Sequence, residues 1–217
     1  MLRYQQLYDS AIVSDLGKID ADLRAQSLHP ELYTTLNMLN AKYIVLSPEA
    51  RGVIPNRSAY GNAWFVRDVK NVNSPTEELK AITEVDPRHT AVIDQSKFKA
   101  TVTAYDSAAT ITVKEMTPPK ITYESSSSTA GLAVFSEIYY PKGWSATIDG
   151  KDAPILRADY VLRALEIPAG KHTIEFVFRP KPYVIGNKIT TASSWLVVLI
   201  VLGTIGFSLR KDPEARD

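Results

Sequence analysis

The chain has no cysteine and only three histidines among its 217 residues. The first absence excludes disulfides, cysteine-ligated zinc and a thiol nucleophile. It leaves an extracytoplasmic location open, because a domain of this length builds a core without covalent staples. His29, His89 and His172 stand far apart, with no HxH or HxxxH spacing, so the sequence carries no metal signature. Their expected roles are those of hydrogen-bonded surface or core histidines. A glycine-rich phosphate loop is absent too, and nothing implies a cofactor. Charge has no dominant sign: 25 Lys and Arg against 24 Asp and Glu give a formal net charge of +1. The cations are scattered, which argues against a nucleic-acid partner. The opening residues, MLRYQQLYDSAIVSDLGK, contain recurring charges and no apolar stretch, so they do not read as a signal peptide.

One long apolar run is present, at the other end. Ile189 to Leu209 reads ITTASSWLVVLIVLGTIGFSL and carries no charge. At about 1.5 Å per residue such a helix spans roughly 30 Å, the hydrocarbon thickness of a bilayer. It leaves no polar face for a globular exterior. The lipid bilayer is therefore the expected partner. Arg210 and Lys211 follow at once and favour a cytoplasmic C-terminus. Lys171, Arg179, Lys181 and Lys188 lie within reach on the other side, so charge counting does not choose an orientation. Taken as complete, the chain is tail-anchored with a cytoplasmic domain. Taken as the end of a longer chain, earlier spans place the domain outside.

Before that run the pattern changes once. Residues 1–98 predict a mixed α/β subdomain. Leu7, Ile12, Leu16, Ile19 and Leu23 recur at helical spacing, and Pro30 opens a second short helix through Leu36 and Leu39. Lys42–Leu46 and Ala63–Val72 read as strands, separated by a loop over 48–62. Ser74 and Glu77 form a capping box for a helix over Pro75–Val85, and Thr90–Ile93 returns as a strand. Residues 99–182 then alternate with a period of two and predict some seven strands of an antiparallel β-sandwich. Asp149-Gly150 suits a type I′ hairpin turn. Ser125–Ser128 reads as an exposed edge or turn. The expected fold class is α+β: a small N-terminal α/β part, an antiparallel β-sandwich, one transmembrane helix over 189–209, and a tail over 210–217.

Candidate chemistry is sparse. Ser125–Ser128 has no neighbouring base in the sequence that would make a serine nucleophile. Asp149, Asp152, Asp159 and Glu166 lie in the β-rich block. Asp149 is accounted for by its turn, and Glu166 alternates toward solvent. Aromatic and arginine side chains are the candidate binding residues: Tyr140, Trp144, Arg157, Tyr160 and Arg163. Rings beside guanidinium groups stack on sugars or lie at a headgroup surface. The competing reading makes them core and rim, with Trp144 opening an alternating strand and Arg163 paired to an acid such as Asp159 or Glu166.

The blocks LNMLNAKYIVL, NRSAYGNAWFV, GWSATIDGK and RADYVLRALEIPAGKHTIEFVFRP, followed by the apolar helix, resemble the C-terminal region of YfhO-like bacterial membrane proteins. The resemblance covers nearly the whole chain and rests on Leu36–Leu46, Asn62–Val66 and Gly143–Pro180. Asp159 departs from it, standing where many relatives are expected to carry Asn. It implies a large multi-pass protein related to GT-C glycosyltransferases that use polyprenyl-phosphate sugars. This chain is then expected to be the last extracytoplasmic domain and last span of a bacterial cell-membrane protein, with an upstream transmembrane core as partner. A lipid-linked sugar or envelope glycan is the implied ligand. The catalytic carboxylate of such enzymes lies in an early extracytoplasmic loop, so no catalytic residue carries over. A non-catalytic, membrane-attached carbohydrate or protein interaction module is the alternative.

Overall fold

The structure is a computed structural model and describes residues 2–47, 52–100 and 104–211. Its first element is a nearly continuous helix: α1 (Leu2–Leu7), one π turn (Tyr8–Ile12) and α2 (Val13–Ala25). The π turn inserts an extra residue and rotates the stripe that faces the core. Leu7, Ala11, Ile12, Asp15 and Ile19 are buried, and Leu16, expected inside, is 44% exposed. The short helix expected after Pro30 is split into a 3₁₀ turn (Pro30–Leu32) and α3 (Thr34–Met38). Asp15 holds α3 from outside, its carboxylate accepting the Thr35 and Leu36 amides at 2.8 and 3.1 Å.

Strands β1 (Tyr43–Val45) and β2 (Val53–Pro55) form a small antiparallel pair. Part of the loop expected over 48–62 is therefore strand, and 48–51 lie outside the described residues. The strand expected over 63–72 divides into β3 (Ala63–Phe65) and β4 (Asp68–Val72). Helix α4 (Pro75–Glu84) begins where the capping box placed it. Ser74 Oγ accepts the Glu77 amide at 3.2 Å, and Glu77 reaches back to the Asn73 amide at 3.0 Å. It connects β4 to the parallel strand β5 (Thr90–Asp94), a βαβ unit.

The remaining strands are β6 (Thr110–Thr117), β7 (Lys120–Ser127), β8 (Gly131–Ile138), β9 (Trp144–Ile148), β10 (Lys151–Ala153), β11 (Leu156–Ala158), β12 (Leu162–Ile167) and β13 (Gly170–Phe178). They build two antiparallel sheets, ordered β10-β9-β13-β7-β6 and β11-β12-β8-β3. The second sheet is buried on both faces, and alternation divides its side chains between two cores. Leu132, Val134, Leu162 and Ala164 face the helices and the βαβ unit. Ala133, Phe135, Leu165 and Ile167 face the five-stranded sheet. There Tyr123, Phe135 and Phe176 pack edge to face, with centroids 4.9 to 6.0 Å apart. The fold is α+β, layered as helices and βαβ unit, then the four-stranded sheet, then the five-stranded sheet.

A further sequence expectation changes. Ser125–Ser128 is no exposed edge: Ser125 and Ser127 are buried in β7, which pairs with β6 on one side and β13 on the other. They continue the inward parity of Ile121 and Tyr123. Tyr160 lies in the β11–β12 turn. The Asp149-Gly150 turn is as expected, with φ of 50° and 78°. Helix α5 (Lys181–Lys211) follows β13 directly, and its segment Ile185–Ser208 has a mean hydropathy of 1.9 with none of it buried within the domain. At about 1.5 Å per residue it is long enough to cross a bilayer.

A candidate membrane-proximal site

The junction between the β sheets and α5 is built around Gly143. Its φ is +102°, and a Cβ there would lie 2.9 Å from the Phe178 ring and 3.1 Å from Pro180. Only glycine fits this conformation at this approach. In return the Gly143 carbonyl accepts the Arg179 amide at 2.6 Å, tying the β8–β9 connection to the segment that leads into α5. Trp144 and Phe178 are cross-strand partners with ring centroids 5.2 Å apart. Together with Tyr140, Lys142 and Arg179 they line an open cleft of about 580 Å³.

Of the five candidate binding residues, Tyr140 and Trp144 come together here. Tyr140 is 52% exposed; Trp144 is half-buried, one side against the core and the other in the cleft. Arg163 lies behind Trp144, its guanidinium 3.9 Å from the ring centroid. Such a desolvated cation–π contact contributes ~2 kcal/mol or more. Arg163 is buried, Nε donates to the Ile138 carbonyl at 3.2 Å, and burial lowers its pKa while the charge of Glu137 opposes this. Glu137 is thus the acid in its surroundings, and Tyr123 donates to that carboxylate at 2.6 Å. Glu166 faces solvent, as its alternation indicated.

Arg157 and Tyr160 are brought together elsewhere, inside the molecule. Glu78 of α4, fully buried, accepts from Arg157 at 3.1 Å, from Arg3 at 2.9 Å and from the Tyr160 amide at 3.1 Å. Arg157 also approaches Asp94 at 3.4 Å. Beside this network Asp159 is enclosed completely, with Oδ1 accepting the Val92 amide at 2.8 Å. Burial pushes its carboxyl up to about 8, the Val92 bond opposing and the charge of Glu78 adding to the rise. This cluster is not legible in the sequence, because Arg3, Glu78 and Arg157 are widely separated.

The structure adds a base beside the serine tract. Ser125 lies opposite His172 in register, and His172 Nδ1 is 2.6 Å from Asp149. That contact raises the histidine pKa and lowers the aspartate's. The other imidazole nitrogen faces the Ala169 carbonyl at 3.2 Å, and the buried Ser125 hydroxyl has no partner. Both nitrogens are occupied, so the arrangement braces the Asp149 turn and does not activate the serine. Among the described residues there is no group of three or more acidic or histidine side chains placed to hold a metal ion.

A family model described as bacterial membrane protein YfhO matches residues 80–190, just over half of the chain. The match starts in α4, covers the five-stranded sheet and all of the four-stranded sheet except β3, and ends inside α5, so it includes the junction at Gly143. No curated protein and no solved structure matches the chain. By this match and by its bilayer-length helix, the chain belongs to the YfhO family of bacterial membrane proteins.

Proposed function

We propose that the chain is the C-terminal extracytoplasmic domain and last membrane span of a YfhO-type protein, and that it serves as an accessory part of a glycosyltransferase. The enzyme would take its sugar from a polyprenyl phosphate and act on cell-envelope glycans. The observation that carries this reading is the direct passage from β13 into α5, within a region that matches a membrane-protein family. A domain joined to the span so closely lies near the bilayer surface, where a lipid-linked donor would present its sugar. The buried Arg157 and Tyr160 tie the four-stranded sheet and its β11–β12 turn to the helices, Arg163 packs against Trp144 and Phe176 of the other sheet, and Tyr140 and Trp144 offer the accessible aromatic surface. The reaction itself is assigned to an upstream membrane core, with this domain positioning donor or acceptor.

Removing the gene and analysing envelope glycans and membrane lipids tests the reading. The expected result is loss of a sugar substituent with accumulation of a polyprenyl-phosphate sugar, restored by the intact gene. Unchanged glycans and unchanged lipid-linked sugars would refute it.

A further inference from the structure

We propose that the cleft between the β8–β9 connection and the start of α5 docks the headgroup phosphate of an anionic phospholipid from the bilayer that α5 enters. The inference does not rest on the glycosyltransferase reading and applies to either leaflet.

Depth is the first argument. Pro182 lines the cleft and lies three residues before the candidate span Ile185–Ser208 and seven before the charge-free run that starts at Ile189. At about 1.5 Å per residue this puts it roughly 4 to 10 Å beyond the hydrocarbon edge, within or at the outer face of a headgroup layer roughly 5–7 Å thick. Lys142 adjoins Gly143, whose carbonyl holds the Arg179 amide, so both cations stand at the same level.

Charge is the second. Lys142 and Arg179 are exposed, and among the described residues neither has an ion-pair partner. No carboxylate lines the cleft among those residues. Arg163, stacked behind Trp144, has Glu137 beside it, so the positive charge of the cleft is that of Lys142 and Arg179. Two exposed cations without a carboxylate in the lining suit a phosphate monoanion.

Surface chemistry is the third. Trp144 and Phe178 give the cleft an apolar floor, Tyr140 in its lining is 52% exposed, and Tyr183, which follows the lining residue Pro182 in α5, is 72% exposed. Amphipathic rings at this depth match the aromatic belt of membrane proteins, where the ring meets acyl chain and the hydroxyl meets headgroup. Phosphate binding in water would require none of this apolar surface.

The test uses the full chain in detergent micelles, with lipid retention read by native mass spectrometry. Phosphatidylglycerol should be retained in preference to phosphatidylcholine. Lys142→Ala/Arg179→Ala should weaken its retention roughly twenty-five-fold, since a cation near an anionic surface contributes about five-fold each. Lys142→Gln/Arg179→Gln, which keeps side-chain length, should behave alike. Both side chains are exposed and unpaired, so thermal unfolding should match the parent. Arg210→Ala/Lys211→Ala, at the opposite end of α5, should retain phosphatidylglycerol as the parent does. Equal retention of the two lipids, equal retention by parent and cleft variants, or loss only in the Arg210/Lys211 variant would overturn the proposal. So would displacement of the lipid by inorganic phosphate, which would make the site one for free phosphate.

Discussion

Asp159 concentrates the residue-scale argument. It takes φ +47° in the β11–β12 turn, a left-handed conformation that Asn and Asp tolerate better than most residues. The expectation of Asn in relatives has a physical basis here: both side chains fit the turn and both can accept the Val92 amide bond. They differ in titration. Burial raises the Asp159 pKa from 3.8 to about 8, so the folded protein favours the protonated form. The contribution to stability is full below pH 3.8 and is lost as pH rises through about 8. Across that window this group tilts stability by ~1.4 kcal/mol per pH unit. Asp159→Asn should remove the decline, giving a flatter profile of unfolding temperature against pH. Superimposable profiles for parent and variant would count against the assignment. The fate of Arg157, Tyr160 and Arg163 shows why sequence reading stopped short at this scale. An aromatic or arginine in an alternating segment has the same letter whether it meets solvent or a partner far along the chain.

At the scale of elements, the legible parts were those with a local cause. The capping box set the start of α4, alternation set β9 and β13, and Asp149-Gly150 set their neighbouring turn. Elements governed by distant contacts were less legible. The π turn at Tyr8–Ile12 has no local signature and moves the buried stripe of the first helix. Ser125 and Ser127 look like loop residues by composition, although the parity of Ile121 and Tyr123 points them inward. Glu78 is the clearest case of an element-scale tie, joining α4 to α1, to β11 and to the β11–β12 turn through three bonds. Glu78→Ala leaves Arg157 buried without its closest acid, and breaking such a buried pair costs ~3–5 kcal/mol. Denaturant unfolding of the parent and variant chains measures this. A loss below ~1 kcal/mol would mean that Asp94 alone suffices for Arg157.

At the scale of the whole molecule, three layers end at a membrane. The four-stranded sheet is the middle layer because both its faces are apolar, and the five-stranded sheet delivers β13 into α5 through the Gly143 junction. The apolar run was readable from sequence, since the 21 uncharged residues from Ile189 to Leu209 declare themselves by composition. The side on which the domain sits was not, because cations flank both ends of the span. The absence of cysteine makes this experimentally direct. Single cysteines at exposed Ser107 and at the C-terminal Asp217, each in the gene's own product, can be probed with an impermeant maleimide in right-side-out membrane vesicles. The account predicts that Ser107→Cys is labelled at once and Asp217→Cys only after permeabilisation. The reverse pattern would place the domain in the cytoplasm and contradict it.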